Sequence, residues 1–179
     1  MIFKPNAEEG FKCYMDADWA GNWSKKHPNE PSNAHSRTEY WITYCGCPII
    51  WNSKMQSLIA LSMTEAKIIT LSTALREVIY LQNLLKELKQ HGLKIPTTQP
   101  TVRCKVFEDN VACIEVAKEA KLRPQIKHLS VCLFHFCEHV RNKNINIIYC
   151  PTDKQLANIF TKPLPICQFE YLQKLMIGW

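Results

Sequence analysis

No run of apolar residues in this 179-residue chain approaches the roughly 20 needed to cross a bilayer, so no membrane-spanning helix is expected. No internal repeat and no low-complexity tract is present, which sets aside repeat architectures and biased linkers. The opening MIFKPNAEEG lacks the apolar segment of a secretory signal. The protein is therefore expected in the cytoplasm or nucleus and not secreted, with its nine cysteines (13, 45, 47, 104, 113, 132, 137, 150 and 167) as reduced thiols. Cys45-x-Cys47 has no second pair at zinc-site spacing, so no structural zinc is expected either.

What is present is the composition of a globular domain: 46% hydrophobic and 21% charged residues. A chain of this length most simply makes one domain that buries roughly 70% of the surface its unfolded form exposes. Lys and Arg number 22 against 16 Asp and Glu, a formal charge of +6, which suits an anionic partner such as nucleic acid.

Along the chain, 11–19 reads as a strand, 20–37 as a long polar loop, and 38–44 and 49–53 as two strands of a hairpin turning at Gly46. From Ser62 to about His91 the pattern is helical. Leu71, Ala74, Val78, Leu81, Leu85 and Leu88 form a core-facing stripe, and Gly92 and Pro96 mark the exit. A strand over 101–107, helices over about 111–120 and 128–142, and a strand over 145–150 follow. Thr152 and Gln155 have capping-box spacing, and 165–176 could hold a last helix. This order predicts an α/β fold: a mixed sheet flanked by α-helices, with functional groups where strands end and helices begin.

In YMDADWAG (Tyr14–Gly21) two aspartates interrupt a strand-like run, and alternation sends Asp16 and Asp18 to one face. Asp16 on the first strand and Asp109 at the end of the fourth could meet there. Converging carboxylates are what a pair of Mg²⁺ ions needs to cleave a phosphodiester. Each aspartate alone could equally be a surface or turn residue, and Asp109-Asn110 could be a helix cap.

The segments YMDADWAG, SRTEYW, CPIIWNSKMQSLIALSMTEAK, CKVFEDNVACIEVAK, KHLSVCLFHFCEHVR and PTDKQLANIFTKPLP resemble, in order, the RNase H domain of copia-type retrotransposon polyproteins. The resemblance runs from about residue 11 to the C-terminus. It implies the RNase H fold, with a five-stranded mixed sheet. It also implies an ancestral two-metal activity: Mg²⁺- or Mn²⁺-dependent cleavage of RNA in an RNA–DNA hybrid during reverse transcription. Residues 1–10 are then a lead-in, 11–164 the RNase H-like domain and 165–179 a tail helix. The reverse-transcriptase part of such a polyprotein is then expected to be missing or to lie upstream.

The resemblance implies four acidic site positions. Asp16 and Asp109 fill two of them as metal ligands. Lys67 stands where the family has the later glutamate of a TEAEY segment, and Asn158 where it has the aspartate of LADIFTK. Glu65 cannot stand in for the missing glutamate, because two residues around a helix is roughly 200° from Lys67, which is in phase with the core stripe. Lys67 either pairs with Asp16 or Asp109 in the place of a cation or snorkels to solvent. With two carboxylates gone, divalent metal should be poorly held and hydrolysis weak or absent. Glu39 stands where the family usually has glycine, and Ser130 where many members have aspartate or asparagine. The alternative function is a non-catalytic remnant that binds nucleic acid or a polyprotein partner.

Lys118, Lys121, Arg123, Lys127 and His128 lie within eleven residues, followed by His139, Arg141 and Lys143. This cluster is either a phosphate-contacting surface or a solvated helix face. Trp19, Trp23, Trp41 and Trp51 could stack on bases, although strand tryptophans more often belong to the core.

Overall fold

Burial of Phe11, Cys13 and Met15 in alternation with half-buried Lys12 and Tyr14 makes β1 (Phe11–Asp18) a strand covered most heavily on one face. It belongs to a computed structural model that describes residues 3, 5–6, 8–23, 30–94, 103–119, 129–161 and 163–178. β1 pairs antiparallel with β2 (Arg37–Tyr44), which pairs antiparallel with β3 (Cys47–Met55). The predicted hairpin turns at Cys45 and Gly46, both at positive φ (52° and 75°), the backbone that a two-residue turn with right-handed twist requires. On its other side β1 pairs in parallel with β4 (Cys104–Glu108), and β4 with β5 (Ile145–Tyr149). The sheet is five-stranded and mixed, in the order β3-β2-β1-β4-β5.

The long helix α1 (Met63–Gln90) starts where Ser62 caps it: the Ser62 hydroxyl accepts from the Glu65 amide (3.2 Å) while the Glu65 carboxylate accepts from the Leu61 amide (2.7 Å). It ends at Gly92, whose φ of +90° lets the amides of Gly92 and Leu93 donate back to the carbonyls of Lys89 and Leu88. The predicted stripe faces the sheet through Leu71, Ala74 and Val78, all fully buried. Leu81 and Leu85 are partly buried, and Leu88 is exposed because α1 has by then run past the core. With α2 (Val111–Glu119) and α3 (Ser130–Arg141), α1 covers the face that carries Cys13 and Met15. The opposite face holds a smaller cluster of Trp41, Leu156 and Leu172, joined by Tyr14, Ile159 and Met176. Leu172 comes from α4 (Ile166–Ile177), and Leu156 and Ile159 from the 3₁₀ turn Leu156–Phe160.

The capping box read from Thr152 and Gln155 does not form. The chain there makes two short 3₁₀ turns, Thr152–Lys154 and Leu156–Phe160. Both side chains serve longer-range partners instead: Thr152 donates to the Asp109 carboxylate (2.8 Å) and Gln155 to the Phe107 carbonyl (3.0 Å). Nor does the core claim the strand tryptophans as a group. Trp41 is buried, whereas Trp51 on the edge strand β3 is 59% exposed.

Candidate active site

β1 and β4 run in register from Phe11–Cys104 to Tyr14–Phe107. Beyond that pairing they carry Asp16 and the Glu108–Asp109 pair to a common end of the sheet. The first turns of α1 pass this end and bring Lys67 into it. The Lys67 Nζ lies 2.8 Å from Asp16 Oδ1, 2.5 Å from Asp109 Oδ1 and 3.2 Å from Glu108 Oε1. Lys67 is 3% exposed and Glu108 0%, so the ammonium does not snorkel to solvent; its three N–H groups are directed into the protein. A cavity of about 370 Å³ opens beside the cluster, lined by Asp16, Trp19, Met63, Lys67, Asp109 and Thr152 among others.

The remaining members support these four. The Glu108 carboxylate also accepts from the Asn110 amide (2.8 Å), and the Asn110 side chain caps α2 by accepting from the Cys113 amide (2.9 Å). The helix-cap role thus falls to Asn110 and leaves Asp109 for Lys67. Asn158 is fully buried, and its amide donates to the Thr152 carbonyl (2.6 Å). Glu39 stands in register opposite Asp16 on β2, fully buried, and accepts from the Ser53 hydroxyl (3.0 Å). Among the described residues Glu39 Oε2, Glu108 Oε2 and Asn158 Oδ1 have no hydrogen-bond partner. Glu65 lies at the helix cap, where its carboxylate accepts from the Leu61 amide. Asp18 lies over the loop after β1, where a Cβ on Gly21 would meet its carboxylate.

Lys67 faces Asp16, Glu108 and Asp109, and Arg37 lies 4.0 Å from Glu39, so two cations stand against four carboxylates and burial favours protonation of the two glutamates. Burial pulls the Lys67 pKa downward, but Glu108, Asp16 and Asp109 together outweigh it and hold the ammonium above its ordinary value. For Asp109, burial pushes upward, and Lys67 with the Thr152 hydroxyl overcomes it, so its carboxyl sits below the ordinary range. Burial dominates for the two glutamates, raising Glu108 to about 7 against the pull of Lys67, and Glu39 to about 8 against its bond from Ser53. Glu39 is therefore mainly protonated in the folded protein at pH 7. Its folded pKa lies above the unfolded one, so its contribution to stability is fully present below about 4.5 and is lost as pH rises through about 8. Glu39→Gln, which keeps the neutral shape, should remove that part of the slope, at most about 1.4 kcal/mol per pH unit for one proton. Urea titrations of both proteins between pH 5 and 8.5 measure it; parallel pH profiles would contradict the assignment.

These residues do not fit a pair of divalent cations. The carboxylate oxygens that would have to converge on metal converge on an ammonium at hydrogen-bond distance, and Lys67 and Asn158, which the resemblance places at the other two ligand positions, offer an ammonium and an amide. Among the described residues no group of three or more His, Cys, Asp or Glu is arranged to hold a metal ion. All nine cysteines are free thiols.

The structure brings together Asp16, Lys67 and Asp109, with Asn158 tied to the same end through Thr152. Sequence reasoning missed Glu108 as a member and treated Glu39 only as a departure. A signal for Glu108 was present: β4 buries alternate residues Cys104 and Val106, and the same alternation puts Glu108 inside. Of the basic cluster, Lys118 is exposed near the end of α2, while Lys121, Arg123, Lys127 and His128 lie outside the described residues. Trp19, Trp23 and Trp51 are exposed, and the Trp19 indole donates to the Ala60 carbonyl (3.0 Å).

Comparison of the fold identifies the class. A ribonuclease H1 isolated from compost by a metagenomic approach superposes with a TM-score of 0.51 over 85% of this chain and 92% of its own, at 15% identity. The chain therefore has an RNase H fold. Its sequence is homologous, over most of its length, to Pol polyproteins of copia-type retrotransposons. It is 30% identical over 165 residues (92% of the chain) to the retrovirus-related Pol polyprotein of transposon TNT 1-94 from Nicotiana tabacum, and 28% over 159 residues (88%) to that of transposon RE1 from Arabidopsis thaliana. A Ty1 Gag-Pol polyprotein of Saccharomyces cerevisiae is 25% identical over 84% of the chain. The chain spans about a tenth of the length of these curated relatives (11%, 10% and 9%). No family model matches the chain.

Proposed function

We propose that this chain is an RNase H domain of copia-type Pol descent whose hydrolytic centre has become an internal ion cluster, leaving little or no cleavage of RNA–DNA hybrids. The observation that carries the reading is the Lys67 ammonium lying within 3.2 Å of Asp16, Glu108 and Asp109. An ammonium there repels divalent cations and occupies the oxygens they would use. The domain keeps the sheet and helices on which such a centre is built, and with them surfaces for a nucleic acid or for the reverse-transcriptase part of a polyprotein. Its place would be a cytoplasmic retroelement particle or the nucleus.

The test is turnover of a labelled RNA–DNA hybrid with Mg²⁺ or Mn²⁺. Wild type and Asp16→Asn are expected to show the same background rate. Robust wild-type cleavage that Asp16→Asn abolishes would overturn the reading. Salt-dependent binding of the hybrid without turnover would support the binding remnant, with affinity falling as counterions compete for the phosphates.

A further inference from the structure

A second concave site lies at the other end of the sheet. Its cavity, about 730 Å³, is framed by the first residues of the parallel strands β1, β4 and β5 and by the ends of α2 and α3. Along β1, Phe11 at its floor is five residues from Asp16, roughly 17 Å at about 3.3 Å per residue. Five cationic residues line it, Lys12, Arg103, Lys105, Lys118 and Lys143, against two acids, Glu8 and Glu9. Lys12 is paired with Glu9 at 2.7 Å. Among the described residues, Arg103, Lys105, Lys118 and Lys143 have no carboxylate within 4 Å, and all four are exposed. The residues that line the cavity thus carry half of the chain's formal +6 excess.

Helix chemistry explains part of this. Lys118 in the last turn of α2 and Lys143 just beyond α3 favour the negative ends of the helix dipoles. It does not explain Lys12, Arg103 and Lys105, which sit at the starts of strands. Lys12 and Lys105 are direct neighbours in the parallel ladder, an unfavourable placement of like charges that Glu9 offsets at Lys12 and nothing offsets at Lys105 among the described residues. A bound anion would relieve that repulsion. The volume is that of a small-molecule site, and its floor is rigid: Phe11, Cys104, Ile145 and Ile147 are buried at 2% exposure or less.

We propose that this cavity binds a phosphate-bearing anion of nucleotide size, at a site separate from the Asp16–Lys67 cluster. The proposal does not depend on whether the domain retains hydrolysis. The concave shape favours a compact ligand, either a free nucleoside triphosphate or the phosphorylated end of a single strand, over a duplex lying across a surface.

The experiment uses the full chain at 50 mM and 200 mM salt, with three probes: a fluorescent nucleoside triphosphate, a 5′-phosphorylated single-stranded 10-mer, and the same 10-mer without the phosphate. Lys105→Glu combined with Lys143→Glu is expected to weaken binding at least tenfold. The charge-matched control, Lys54→Glu with Lys174→Glu at exposed positions elsewhere, should change it less than twofold. Circular dichroism of each variant verifies folding. Triphosphate binding, with no preference between the two 10-mers, assigns the free nucleotide. A 5′-phosphate preference without triphosphate binding assigns the strand end. Dissociation constants above 1 mM for every probe at 50 mM salt, or equal weakening by the two charge-reversed pairs, would overturn the proposal.

Discussion

Lys67→Met is expected to cost about 3–5 kcal/mol of folding free energy, the range seen when one partner of a buried ion pair is removed. For a chain of this length that corresponds to a fall in Tm on the order of 10 °C. Methionine keeps the length and most of the packing of the lysine stem, so the loss reports the ammonium itself. Its removal leaves Asp16, Glu108 and Asp109 facing one another within a site where Glu108 is wholly inaccessible and Asp16 nearly so. The deficit also has a pH signature. In wild type the Asp109 carboxyl is held below its ordinary range, so its stabilising contribution is present above the unfolded pKa and is lost as pH falls through the folded one. Lys67→Met removes that contribution and lets the carboxyls take up protons. The gap between the two proteins should therefore be widest near neutral pH and narrow toward pH 4. Chemical denaturation of both across pH 4–8 measures it. A variant as stable as wild type at pH 7 would mean that the ammonium does not hold the carboxylates together.

The second large effect is gain of metal response by Lys67→Glu combined with Asn158→Asp, which restores the two carboxylates that the resemblance expects. Exchanging ammonium for carboxylate changes the local charge by two units, and a unit pair ~4 Å apart at an effective dielectric of ~20 interacts by ~4 kcal/mol. At ~1.4 kcal/mol per decade, divalent affinity should rise by on the order of a thousandfold or more. Without metal the double variant should be less stable than Lys67→Met, because it adds like charge to Asp16, Glu108 and Asp109. With Mg²⁺ or Mn²⁺ at about a hundred times its Kd, it should regain about 2.7 kcal/mol, while wild type stays flat. Thermal unfolding with and without metal reads this directly, and the hybrid-cleavage assay asks whether chemistry returns with it. Equal metal responses in the two proteins would refute the claim that Lys67 keeps the cations out.

Much of the site is legible in the sequence. The stripe Leu71–Ala74–Val78 placed one face of α1 on the sheet, and because Lys67 shares its phase, the helix period alone directed that lysine inward. Asp16 and Asp109 could be picked as its partners because one lies on the first strand and the other at the end of the fourth. Short-range signals were less dependable where longer-range bonds competed. Thr152 and Gln155 have the spacing of a capping box, yet Asp109 and the Phe107 carbonyl claim them. Ser62 and Glu65 have the same spacing, and there the local bonds do form: the Ser62 hydroxyl accepts from the Glu65 amide and the Glu65 carboxylate from the Leu61 amide.

By itself, the sequence determined the order of strands and helices and the inward phase of Lys67, since each follows from local periodicity; that Lys67 and Asn158 stand where carboxylates are expected is what the resemblance implies. Only the tertiary structure decided that Glu108 and Glu39 join the site. Alternation along β4 turns Glu108 inward, but its meeting with Asp16 and Lys67, like the place of Glu39 opposite Asp16, depends on which strands lie beside β1, and that is set by packing across the sheet. The same holds for the cations at the far edge. Lys12, Lys105 and Lys143 are remote from one another in sequence and meet because parallel pairing brings the starts of β1, β4 and β5 to one end of the sheet.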